Sequence, residues 1–133
     1  AAAMSSPFGV GNAKFRYAET EGFVDTVPFG CYHRRVWDVV VDLRKDSPTY
    51  GQWEAHELCE STMHALYIPT GCAHGFQCLT NECQLFYLMS EFYEPKCSFG
   101  VRWDDPDLAI QWPLPALNVS PRDQVLPLLR EIA

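Results

Sequence analysis

The chain has 133 residues, enough for one domain that buries a core without covalent staples. Hydrophobic residues make up 47% and aromatics 14%, and the formal net charge of -7 argues against binding nucleic acid through its phosphates, which needs a basic surface. No apolar run is long enough to cross a membrane as a helix, and the start Ala1-Ala2-Ala3-Met4-Ser5-Ser6 lacks the basic-then-apolar order of a secretory signal, so a cytoplasmic protein is expected.

In chain order, the three alanines before Met4 read as an added leader rather than part of the fold. Asn12 to Glu21 fits a short helix, and Phe23-Val24 the start of a strand. Cys31 to Leu43 is a β-branched run carrying Val36, Val39, Val40 and Val41, and it predicts a strand. Arg44 to Gly51 has turn chemistry in Asp46-Ser47-Pro48 and Gly51. Gln52 to Cys59 alternates, with Trp53 and Ala55 on one side and Glu54 and His56 on the other. Ala65 to Ile68 is a short strand that ends at the turn Pro69-Thr70-Gly71. Phe76 to Leu79 and Cys83 to Met89 form a pair joined at Thr80-Asn81-Glu82. Short strands at this spacing point to a sandwich or barrel rather than βαβ units.

The tail differs. Trp103-Asp104-Asp105-Pro106 is a turn, and its adjacent carboxylates read as turn formers whose side chains diverge rather than as a catalytic pair. Trp112 to Pro115 is extended and stiffened by proline. Ser120 caps a short helix with Pro121 at its first position, and Pro127 limits it. There is no internal repeat and no second domain. The six cysteines contain no CxxC pair and read as reduced core thiols. His33, His56, His64 and His74 contain no His-x-His pair, so no metal is expected.

Several stretches, in order and at matching spacing, resemble one family: VWDVVVDLRKDSPTYGQW from Val36, LYIPTGCAHGF from Leu66, Phe86-Tyr87, Phe92-Tyr93-Glu94-Pro95, GVRWDDPDLAIQWP from Gly100, and Ser120-Pro121-Arg122-Asp123. From about Cys31 to the end, the chain is similar to the dTDP-4-dehydrorhamnose 3,5-epimerases. The resemblance implies an all-β, double-stranded β-helix (cupin, or jelly-roll) core, with residues 1–30 an atypical N-terminal segment. It also implies a homodimer, no metal and no cofactor. The implied substrate is a nucleotide sugar, a dTDP-4-keto-6-deoxy sugar epimerised by proton abstraction next to the ketone. Such chemistry needs a positioned base, stabilisation of an enolate oxygen, and an acid that returns the proton.

Carried over from the resemblance, Tyr87 is the acid and Asp123 the carboxylate partner of the base. His74 lines the substrate pocket, and Tyr93 is an aromatic near the nucleotide. Each has a plainer reading. Tyr87 fits a packed strand residue. Asp123, three residues after Ser120, fits a capping-box acid, and His74 before Gly75 fits a hydrogen-bonded turn histidine.

The family's base histidine lies in an Arg-Gly-x-His segment that this chain lacks, and no histidine precedes Cys31. A basic residue expected just before Cys31 is replaced by Val27-Pro28-Phe29, and His33 falls in the following strand. A strand and loop therefore read as missing around Thr26 to Gly30. Three functions follow: an epimerase whose base comes from elsewhere, a sugar-nucleotide-binding cupin with little or no turnover, and a keto-isomerase or single-site epimerase. A lost strand also exposes a sheet edge that favours pairing with a second copy.

Overall fold

The computed structural model describes residues 13–17, 22–26, 35–59, 61, 65–69, 71–81, 83, 85–89 and 99–132. Among the described residues lie seven strands: β1 (Ala13–Tyr17), β2 (Gly22–Thr26), β3 (Arg35–Asp42), β4 (Trp53–Cys59), β5 (Ala65–Ile68), β6 (Cys72–Cys78) and β7 (Leu85–Met89). Two four-residue helices, α1 (Pro121–Gln124) and α2 (Leu129–Ile132), follow. The strands form a four-stranded sheet in the order β1-β6-β3-β4 and a three-stranded sheet in the order β5-β2-β7. Every described pairing in them is antiparallel.

The period of two along β3 explains how the sheets meet. Val39 and Val41 face one way, into a cluster with Leu43, Ala73, Val101 and Leu108. Val36 and Val40 face the other way. There they meet Phe76 and Cys72 of β6, Ile68 of β5 and Leu85 of β7, so this layer joins the two sheets. All seven residues of β6 are buried, because the strand has neighbours on both edges and apolar layers over both faces.

Three expectations from sequence change here. Ala13–Tyr17, read as part of a short helix, is a strand whose partners run from Ala13↔Gln77 to Tyr17↔Ala73. Local propensity over so few residues is weak, and the long β6 edge offers hydrogen bonds that a single helical turn cannot match. The strand expected from Phe76 begins at Cys72, so His74 and Gly75 lie mid-strand rather than in a turn. Gly71 (φ 89°) turns the chain before it. The tail carries two short helices where one was expected. The junction near Thr26 to Gly30 lies, apart from Thr26, outside the described residues.

The tail lies over the outer face of the larger sheet. Trp37 packs against Trp53 and Trp112 at ring-centroid distances of 6.2 and 5.2 Å. Trp53 Nε1–H donates to the Leu108 carbonyl at 2.9 Å. Gln77 donates from Nε2 to the Leu114 carbonyl at 2.7 Å and accepts the Leu114 N–H at 3.0 Å, so a proline-flanked stretch that cannot form a ladder is still satisfied. Asp104 and Asp105 diverge as expected: Asp104 pairs with Arg102, while Asp105 is buried and accepts backbone N–H groups.

Asp42 anchors the β3–β4 connection. It accepts from the Arg44 backbone N–H and twice from the Arg44 guanidinium, and also from the Ser47 and Thr49 hydroxyls. The guanidinium first, and the two hydroxyls after it, hold this carboxyl well below its ordinary value of 3.8. A depressed carboxylate stabilises the fold above its unfolded value, and the contribution is lost as pH falls toward the folded value. Asp42→Ala is therefore expected to cost about 2–3 kcal/mol at neutral pH. In urea unfolding the gap to wild type should narrow below pH 3.8; a gap that stays constant into acid would refute the assignment.

Candidate active site

The inward face of β3 reads Val36, Asp38, Val40, Asp42, so an acid sits between two valines in the apolar layer. Asp38 and His74 are 0% and 2% exposed. Their strands pair with Asp38 opposite Phe76 and Val40 opposite His74, which sets the two side chains diagonally on one face. His74 Nδ1 stands 3.4 Å from Asp38 Oδ2, and in the tautomer with its proton on Nδ1 the ring donates to the carboxylate. Nε2 is the ring atom that Asp38 does not engage.

Burial pushes the Asp38 carboxyl up, while the charge and hydrogen bond of His74, and then the charge of His56, pull it back. Asp38 Oδ1 is buried with no hydrogen-bond partner among the described residues. A buried carboxylate behind an imidazole fixes the ring tautomer and stabilises the cation formed when the ring takes a proton.

The other expected site residues are placed as follows. Tyr87 lies in β7 opposite Val24 of β2, two residues beyond Leu85, which packs into the layer between the sheets. Its side chain lies outside the described residues, as does all of Tyr93. Asp123 is 0% exposed in α1, where its backbone N–H donates to Ser120 Oγ at 3.2 Å, so the expected N-cap forms. The residue that the sequence reading passed over is Asp38. Its signal was an acid between two valines at an inward position of a β-branched run, which an apolar interior admits only with a partner.

A sequence model of dTDP-4-dehydrorhamnose 3,5-epimerase matches residues 28–131. The chain belongs to this family. It is 42% identical over 99 residues to a dTDP-4-dehydrorhamnose 3,5-epimerase of Methanothermobacter thermautotrophicus, covering 72% of this chain and 54% of that one. It is 45% identical over 114 residues to a dTDP-4-dehydrorhamnose 3-epimerase of Streptomyces niveus, covering 82% and 55%. Among solved structures, a 4-keto-6-deoxy sugar epimerase from the novobiocin gene cluster of Streptomyces spheroides superposes with a TM-score of 0.84 at 38% identity, covering 93% of this chain and 62% of that one. This family member thus spans about half the length of the curated relatives it matches. Both a 3,5- and a 3-epimerase are among them.

Proposed function

We propose that this chain forms a single double-stranded β-helix domain, acts in the cytoplasm as a homodimer, and epimerises a dTDP-4-keto-6-deoxy sugar without metal or cofactor. The observation that carries the reading is the buried His74–Asp38 pair inside a fold shared with sugar epimerases. Abstraction next to a ketone needs a group that holds a proton near neutral pH, and an imidazole backed by a carboxylate is suited to that. His74 lines the sugar site, Asp38 positions it, and Tyr87 returns a proton to the opposite face. Asp123 supplies a second carboxylate for a base, and Tyr93 packs near the nucleotide.

The test is incubation of the full chain with a dTDP-4-keto-6-deoxy sugar in D₂O. Deuterium should enter at carbons next to the ketone, and NMR of the product tells one site from two. Binding without any exchange at high protein concentration overturns turnover. It would favour the second reading, a sugar-nucleotide-binding protein, which the absence of an Arg-Gly-x-His segment supports. Tyr87→Phe is expected to slow net epimer formation by about two to four orders of magnitude. Exchange on the face from which the proton is removed should persist, and an unchanged epimer yield would reject Tyr87 as the acid.

A further inference from the structure

We propose that His56, oriented by Glu54, is the relay through which protons pass between solvent and the buried Asp38–His74 pair. The pair itself is sealed, with side chains 0% and 1% exposed, so His74 needs a route by which a proton can leave. β4 provides one. Among the described residues it is an edge strand of the larger sheet, and His56 lies directly opposite Asp38 in the β3–β4 register. Side chains of directly opposed residues share a face, with Cβ atoms about 4.5–5.5 Å apart, so the imidazole stands beside the carboxylate.

His56 is 45% exposed at its side chain, and its Nε2 is 3.3 Å from Glu54 Oε1. That contact leaves Nδ1 for the other neighbour. On the Asp38 side, Oδ1 is buried and has no partner among the described residues, whereas Oδ2 takes His74. The row Glu54, His56, Asp38, His74 therefore runs across one sheet face from water to the buried ring.

The transfer conserves protons at each step. A proton accepted at His74 Nε2 is matched by one leaving Nδ1 for Asp38. The carboxyl gives one to His56, and the imidazole releases one to water. The reverse sequence returns a solvent proton. Asp38 meets the His74 ring and lies opposite His56 in the register, so His56 acts only through Asp38 and is a positioning and relay residue. The inference concerns the proton path and holds whether or not a sugar is turned over.

The test reads the path without substrate. In the ¹⁵N-labelled full chain, exchange of the His74 ring N–H with water is measured by saturation transfer in the wild type, His56→Phe and Glu54→Gln. His56→Phe keeps a ring at the edge and is expected to slow that exchange roughly tenfold or more, since a positioned acid–base group contributes at least that much. Glu54→Gln, which loosens the imidazole, should give a smaller slowing. Backbone amide spectra report whether each variant keeps the fold. If His56→Phe disturbs it, His56→Gln, which has no proton to relay at neutral pH, takes its place. Exchange as fast as wild type in a folded His56 variant overturns the relay. Failure of sugar deuteration alongside slowed ring exchange would instead count against the proposed activity.

Discussion

Asp38→Ala is expected to destabilise the fold by about 3 kcal/mol, the largest effect of any single change at the site, because it strands a buried ring N–H. His74 Nδ1–H has Asp38 Oδ2 as its acceptor, and both side chains are sealed from water. Without the carboxylate, the donor keeps its desolvation penalty and loses its bond. Asp38→Asn keeps the volume and one acceptor, so it should cost less. Replacing both Asp38 and His74 by leucine should recover most of the loss, since an apolar pair of similar volume removes donor and acceptor together.

Burial holds the Asp38 carboxyl above its ordinary 3.8, the opposite of Asp42. Between the unfolded and folded values the folded chain binds more protons, so this group lowers stability as pH rises through that window. Asp38→Asn should remove that slope, whereas Asp42→Ala removes one of opposite sign. Urea unfolding across pH provides both readings. An alanine variant within 0.5 kcal/mol of wild type, the ordinary scatter of surface changes, would show that the pair is not structural. Deuterium entry into a keto sugar should fall by about two to four orders of magnitude in Asp38→Asn, because the imidazole loses the charge that steadies its cation.

Asp105→Ala is expected to cost a similar amount, about 3 kcal/mol, although no chemistry is proposed for it. Asp105 is 2% exposed, and its Oδ1 accepts from the N–H groups of Asp107 and Leu108 at 2.7 and 3.0 Å. Its Oδ2 accepts from Leu129 N–H at 2.6 Å, at the start of α2. One carboxylate therefore closes a turn and ties the last helix to it. A four-residue helix does not persist by its own propensity, so α2 depends on such contacts. Asp105→Asn separates the two jobs. Its carbonyl can still accept from Asp107 and Leu108, while its amide N–H₂ opposes Leu129 N–H. The asparagine variant should lose about half as much stability, with fast hydrogen exchange confined to α2. Equal losses in both variants, or exchange unchanged at Leu129, would reject this division.

The strand order along much of the chain was legible in its residues. The β-branched run at Val36, the alternation from Trp53 and the turn at Pro69-Thr70-Gly71 each obey a local rule, and β3, β4 and β5 lie where those rules put them. The cap at Ser120 and the divergence of Asp104 from Asp105 were equally local. Ala13–Tyr17 was not legible, because its conformation comes from an edge of β6 some sixty residues away in sequence. His74 drew attention through its motif, yet the motif could not place it mid-strand or name its partner.

By itself, then, the sequence determined that this is a sheet-dominated acidic chain, where most of its strands and its helix cap fall, and the family to which it belongs. These follow from side-chain period, turn chemistry and motif order, which are properties of neighbouring residues. Only the tertiary structure decided that Asp38 meets His74, that His56 stands opposite Asp38, and that Asp105 holds Leu129. Those pairings depend on strand register and on how distant segments pack, and a carboxylate in a β-branched run carries no mark of the imidazole it will face until two strands are aligned.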